Sequence, residues 1–139
     1  MEVIQMSINE EWSKVKEFQI KFGHPVSEKP IMMDESRAKK RYTWMLEEIN
    51  EFIEAPDIVE QADAMIDLIY FALGTLVEMG IKPEKLFSVV HNANMSKLWN
   101  DGKPHYGVDG KTIKPKTWKD PHSELENIIN KMLEESENR

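Results

Sequence analysis

One stretch governs what this chain can fold into. Between Pro56 and Gly80, residues such as Ala62, Met65, Ile66, Leu68, Ile69, Phe71, Leu73, Leu76 and Val77 leave almost no side of a helix polar. At about 100° per residue, only one stripe interrupts them: Glu60, Asp63 and Asp67 fall within about 60° of one another. A helix apolar on nearly all sides is expected to be buried. Its three carboxylates then need partners, because an unpaired buried carboxylate costs several kcal/mol.

The rest of the chain supplies helices to pack around it. Ser7-Ile8-Asn9-Glu10 is a capping box that opens a first helix, ending near Phe22 with Gly23 just past the end. Pro25 and Pro30 mark a loop. Asp34 caps a second helix that runs to about Ala55 and stops before Pro56. Asp57-x-x-Glu60 opens the apolar third helix, which ends near Met79, with Gly80 and Ile81 placed for a Schellman motif. Pro83 suits the first turn of a fourth helix ending near Leu98. Residues 100–121 hold three of the six glycines, three of the seven prolines and two Asp-Gly-Lys triplets, which predicts an irregular or hairpin segment. Ser123-x-x-Glu126 is a further capping box for a last helix whose tail frays. The class is all-α, a bundle of about five helices, and residues 1–139 read as a single domain.

The second helix carries its own acidic arc. Glu47, Glu48, Glu51 and Glu54 fall on one side, with Met45, Leu46, Ile49, Phe52 and Ile53 opposite and set to hold the bundle. Alone, that is the pattern of a solvated face, except that Trp44 lies inside the acidic arc. The short connection Ala55-Pro56-Asp57 makes the second and third helices antiparallel neighbours, which sets Glu48 and Glu51 across from Glu60 and Asp63. Two kinds of partner are open to these carboxylates. One is a basic side chain such as Arg37, Lys40, Arg41 or Lys97. The other is a hard divalent cation, for which oxygen-only ligands favour Mg2+, Mn2+ or Ca2+ over zinc. A di-iron bundle is excluded, since none of the four histidines has Glu three residues earlier.

Composition narrows the function classes. There is no cysteine, so disulfides, zinc–thiolate sites and thiol nucleophiles are excluded. With 18 basic and 25 acidic residues, the net charge of −7 argues against nucleic acid as a partner. No apolar run approaches the roughly 18 residues of a membrane span, and the first twelve residues lack the pattern of a signal peptide, so a cytoplasmic location is the expectation.

Glu47-Glu48-x-x-Glu51 followed by Glu60-x-x-Asp63 resembles the EExxE…ExxD motif of the MazG-like superfamily. These are all-α nucleoside triphosphate pyrophosphohydrolases, and they include dimeric dUTPases, dCTP pyrophosphatases and phosphoribosyl-ATP pyrophosphohydrolases. The stretches EQADAMIDLIYFALGTLVEMGI and HNANMSK, then DGK…IKP…W, extend the resemblance from roughly Phe18 to Pro121. It implies hydrolysis of an NTP or dNTP to the monophosphate and pyrophosphate, with phosphoribosyl-ATP as the alternative substrate. It implies Mg2+, or Mn2+, held by Glu48, Glu51, Glu60 and Asp63, with Glu47 serving the attacking water. Asp67, Asn94 and Lys97 match positions that contact substrate in relatives. Lys111 is a candidate for further phosphate charge, Trp44 for a base slot with Phe18, Phe22 and Tyr70, and His24 for a hydrogen bond to the base. Relatives assemble as dimers or tetramers, and the all-round apolar third helix fits that expectation. The competing class is a non-catalytic helical module that binds metal or nucleotide.

Overall fold

The computed structural model describes residues 7–138; the reading of the first residues as no signal peptide falls partly on Met1–Met6, outside the described part. Five helices follow in order: α1 Ile8–Lys21, α2 Glu35–Glu54, α3 Ile58–Glu78, α4 Glu84–Met95 and α5 His122–Glu137. Between α4 and α5, β1 His105–Tyr106 and β2 Thr112–Ile113 form a small antiparallel hairpin, pairing His105 with Ile113 and Tyr106 with Thr112. The class is all-α.

The helix ends follow the local chemistry. Ser7, Asp34 and Asp57 each accept a backbone N–H from the first turn of α1, α2 and α3. At the far ends of α1 and α3, Gly23 and Gly80 adopt φ of +73° and +68°. Their amides and the next ones return to the last helical carbonyls, with His24 N–H on Gln19 O and Ile81 N–H on Leu76 O. These are Schellman closures, which a side chain would strain. Two ends differ from expectation. The fourth helix stops at Met95, and Pro83 sits just outside its first turn. The last helix starts at His122 with Pro121 as its cap, so Ser123 already lies in the first turn and its capping box does not form. Asp120 instead accepts the His122 amide.

Helices α1 and α2 both pack on α3, while α4 and α5 pack on each other. Trp12, Val15, Leu73 and Val77 form the centre of the core, with Ile8 and Leu76 against it. Asn9 of α1 ties in α4 by accepting the Glu84 amide at 3.0 Å. The hairpin closes on tryptophans: Trp99 donates to Ile113 O and stacks on His105, and Trp118 donates to Ala93 O.

The apolar expectation for α3 needs correcting. Its C-terminal half is buried at Leu73, Gly74 and Val77, but Ile58, Val59, Ile66 and Ile69 are exposed. The apolar side of α2 is open as well: Ile49 is 47% exposed and Ile53 76%. One copy of a five-helix chain has too little cover for both helices. Among the described residues, no helix is long and apolar enough to cross a membrane.

Candidate metal centre

Three carboxylates meet between α2 and α3. Glu48 and Glu51 are three apart on α2 and share a face, and Asp67 reaches them from α3. Each offers an oxygen within 4.8 Å of the others. Glu48 is buried, Asp67 half-buried and Glu51 exposed, so the group opens to solvent on one side. Spacing alone sets Glu60 and Asp63 opposite Glu48 and Glu51. The side-chain tilt explains the difference. Side chains lean toward the N-terminus of their own helix. In an antiparallel pair, those of α2 lean away from the connecting turn and those of α3 lean toward it. Glu48 and Glu51 therefore meet the residue one turn deeper, Asp67. Glu60, in the first turn of α3, and Asp63 are both exposed and stand outside the group.

The electrostatics are those of acids without cations. Burial pushes the Glu48 carboxyl up to about 7, helped by Glu51, Asp67 and Asp63. Burial also raises Asp67, again helped by Asp63 and Glu51. So Asp63 acts on the group by charge without joining it. Among the described residues none of these acids is in an ion pair, and Glu48 Oε2 is buried with no hydrogen-bond partner. Such an orphaned acceptor costs about 1–3 kcal/mol or more when charged. An oxygen-only set with one unsatisfied buried oxygen fits a hard divalent cation.

A pH dependence follows for the metal-free protein. Glu48 binds its proton more tightly folded than unfolded, so its contribution to stability is fullest below pH 4.5, where both states are protonated. It falls as pH rises toward 7 and stays low above, by about 3 kcal/mol for a shift of this size. Thermal unfolding in chelator between pH 4 and 8 measures this. Glu48→Gln should flatten the slope and unfold later than the parent at pH 8. Identical slopes for the two proteins would count against the buried, unpartnered carboxylate.

Two of the cations that the sequence offered to Asp63 and Asp67 are engaged elsewhere. Arg37 and Arg41 both donate to Glu78, near the end of α3, and Arg41 also donates to Gln19 of α1. Gln19 Nε2 in turn donates to Pro25 O at 2.7 Å, and Arg37 approaches His24 Nδ1 at 3.4 Å. Residue spacing did not reveal this buried network. Its signal was Gln19, a polar residue in the buried stripe of Trp12 and Val15.

The remaining candidate residues are spread out. Glu47 is exposed beside Glu48. Trp44 lies one turn before Glu48, with the Arg37 and Arg41 guanidiniums 5.0 and 5.3 Å from its ring and Phe71 at 6.0 Å. Phe18 stacks on Phe22 at 4.5 Å and meets Tyr70 edge-on at 5.6 Å, with His24 at 6.0 Å, which places an aromatic group next to the Trp44 layer. Asn94 is exposed on α4, and Lys97 lies 5.7 Å over the Trp118 ring. Lys111 is exposed at the hairpin turn, its amide on Asp109. Among the described residues, neither Lys97 nor Lys111 forms an ion pair with Glu48, Glu51 or Asp67.

A search of curated proteins finds no match. A solved structure from Exiguobacterium sp. 255-15, provisionally assigned as an NTP pyrophosphohydrolase, superposes with a TM-score of 0.52 at 27% identity, covering 90% of this chain and 97% of that one. Residues 15–94 match the family described as phosphoribosyl-ATP pyrophosphohydrolase, and they contain α2, α3 and all three clustered carboxylates. The chain therefore belongs to the phosphoribosyl-ATP pyrophosphohydrolase family of the MazG-like, all-α NTP pyrophosphohydrolases, and is a pyrophosphohydrolase.

Proposed function

We propose that the chain hydrolyses a nucleoside triphosphate, deoxynucleotides first, to the monophosphate and pyrophosphate in the presence of Mg2+, with Mn2+ as a substitute. The observation that carries this reading is the buried, unpartnered Glu48 oxygen within an oxygen-only group open to solvent. Glu48, Glu51 and Asp67 would hold the cation, with Asp63 adding negative charge beside them. Glu60, a ligand by the motif resemblance, stands as the alternative fourth member. When bound, the cation supplies charge neutralisation for phosphate oxygens that would otherwise face carboxylates alone.

The chain's own residues do the rest. Glu47, exposed beside Glu48, takes the proton of a water whose oxygen bonds to the α-phosphorus. The bond from that phosphorus to the α–β bridging oxygen breaks, and pyrophosphate leaves with its electron pair. Trp44 lies one turn from Glu48 on α2 and Tyr70 one turn from Asp67 on α3, and with Phe18, Phe22 and His24 they offer an aromatic surface for a base. Asn94, Lys97 and Lys111 are polar and cationic candidates for the phosphates. The open apolar sides of α2 and α3 support assembly as a homodimer or homotetramer, which sedimentation measures. The acidic balance supports an enzyme of free nucleotides with no nucleic-acid partner, and a cytoplasmic location goes with that reading.

Phosphoribosyl-ATP is the second reading, favoured by the family match. A panel of NTPs, dNTPs and phosphoribosyl-ATP, with and without Mg2+, separates the two. Pyrophosphate release from a dNTP that requires the metal is the expected result. Release from phosphoribosyl-ATP alone would move the assignment to the second reading. No release from any substrate would leave a non-catalytic binding module.

A further inference from the structure

The outward side of α2 carries an apolar stripe that nothing among the described residues covers. Tyr42, Leu46, Ile49 and Ile53 follow one another at intervals of four, three and four residues, and all four are exposed. That is the spacing of a helix–helix seam. At about 100° per residue, the stripe lies about 150° around α2 from Arg41, Trp44, Glu48 and Glu51, the side turned to α3. With Met32, Met45 and Met79, the first half of the stripe lines an apolar groove of about 340 Å³.

Two features of α2 identify a second copy of this chain as the cover. The first is symmetry. Leu46 and Ile49 are equidistant from the midpoint between Glu47 and Glu48, and so are Tyr42 and Ile53. Turned end for end about that point, the stripe falls on itself, so that Tyr42 meets Ile53 and Leu46 meets Ile49. A two-fold contact requires this reciprocity, and an unrelated partner does not. The second feature is charge. On its exposed surface α2 has Lys39 and Lys40 in its first half, with Glu35 the one acid there, and Glu47, Glu51 and Glu54 in its second half. End-for-end pairing lays the lysine half of each helix along the glutamate half of the other, whereas parallel pairing stacks glutamates on glutamates. Lys39, at the edge of the seam, comes level with the Glu54–Asp57 end of the second copy. Its partner within one chain is Glu35, an exposed pair of little weight.

We propose that α2 pairs antiparallel with α2 of a second copy, Tyr42 against Ile53 and Leu46 against Ile49, with the second copy's Phe52 entering the groove beside Met45. Phe52 and Met45 lie on the same flank of the stripe, so the end-for-end turn brings them together. The proposal rests on the homo-oligomer reading above and gives it an interface and a register. The carboxylates stay on the far side of α2, clear of the seam.

The chain has no cysteine, so introduced ones report cleanly. In the double variant Tyr42→Cys/Ile53→Cys, the two positions of one chain are about 16 Å apart at about 1.5 Å per residue, beyond the roughly 7 Å that a disulfide spans between Cα atoms. Mild oxidation of the double variant is therefore expected to give a covalent dimer, while each single variant stays uncrosslinked. Ile49→Lys alters a position that is exposed in the single chain, so it should keep the helical circular dichroism of the parent. It should weaken association by at least about thirtyfold, the size of a central interface contact, and halve the mass seen by sedimentation. Cross-linking of either single variant means a different pairing and overturns the proposal. So does a double variant that stays uncrosslinked on oxidation, or an Ile49→Lys assembly with the parent's mass. A parent that sediments as a monomer sinks the homo-oligomer reading itself, whereas an assembled parent without the cross-link sinks only this interface. Substrate enters none of these measurements, so the hydrolysis reading is tested separately.

Discussion

Glu51→Gln is expected to lower kcat/KM for pyrophosphate release by about 10²- to 10³-fold, since a cation's charge stabilisation amounts to several kcal/mol and each 1.4 kcal/mol is about tenfold. The amide keeps the shape and hydrogen-bonding reach of the side chain but removes the anionic oxygen. Glu48→Gln and Asp67→Asn should match it, because the three carboxylates form one group and no cation among the described residues substitutes for a missing member. Glu60→Gln is the informative contrast. Glu60 belongs to the sequence motif, yet it is exposed in the first turn of α3 and outside the group. Its loss should cost about tenfold, the low end of the scale for a residue just beyond the ligands. Steady-state kinetics across a metal titration read both effects, and ligand variants should also need more metal for half-maximal rate. If Glu60→Gln proves as damaging as Glu51→Gln while Asp67→Asn stays active, the ligands are those of the linear motif and the clustered geometry is not the working one.

That contrast also shows where sequence reading stops. Helix boundaries were legible because caps are local. Ser7, Asp34 and Asp57 each need only a backbone N–H two or three residues away, and Gly23 and Gly80 need only their own backbone freedom. Ser123 failed because Pro121 already starts the helix, which takes the capping position away from it. The acidic stripes were legible from periodicity, but their register was not. Which residue of α3 meets Glu48 depends on side-chain tilt across two helices, and a wheel drawn for one helix carries no such information. The apolar faces of α2 and α3 misled for a further reason. Periodicity reports that a face must be covered, but it cannot report by which molecule, and one chain leaves Ile53 and Ile66 in solvent.

The partition of charge inside the bundle leads to the largest stability effect. Glu78→Gln is expected to destabilise the fold by about 3–5 kcal/mol, the cost of breaking a buried ionic network from one side. The Glu78 side chain is 2% exposed and holds two guanidiniums. Burial lowers the Arg41 pKa, opposed by its bond to Glu78, while the same carboxylate raises Arg37. Without it, two cations stay buried against a neutral amide. The packing leaves them no easy exit. A Cβ on Gly74 would come within 2.6 Å of Gln19 Oε1 and 2.9 Å of Arg41 Nη1, so the network fills the space against α3 completely. Gly74→Ala should therefore destabilise in the same direction despite its higher helix propensity. Urea unfolding at neutral pH reads both variants, and a Glu78→Gln loss below about 1 kcal/mol, the scale of an exposed ion pair, would show that the pair is not sealed from water. The network matters for the site as well as for the fold. From Tyr42 to Ile81 the chain has no lysine or arginine, and the two arginines just before that stretch are both committed to Glu78. Glu48, Glu51 and Asp67 are thereby left without a basic side chain, the condition under which a carboxylate group calls for a metal ion.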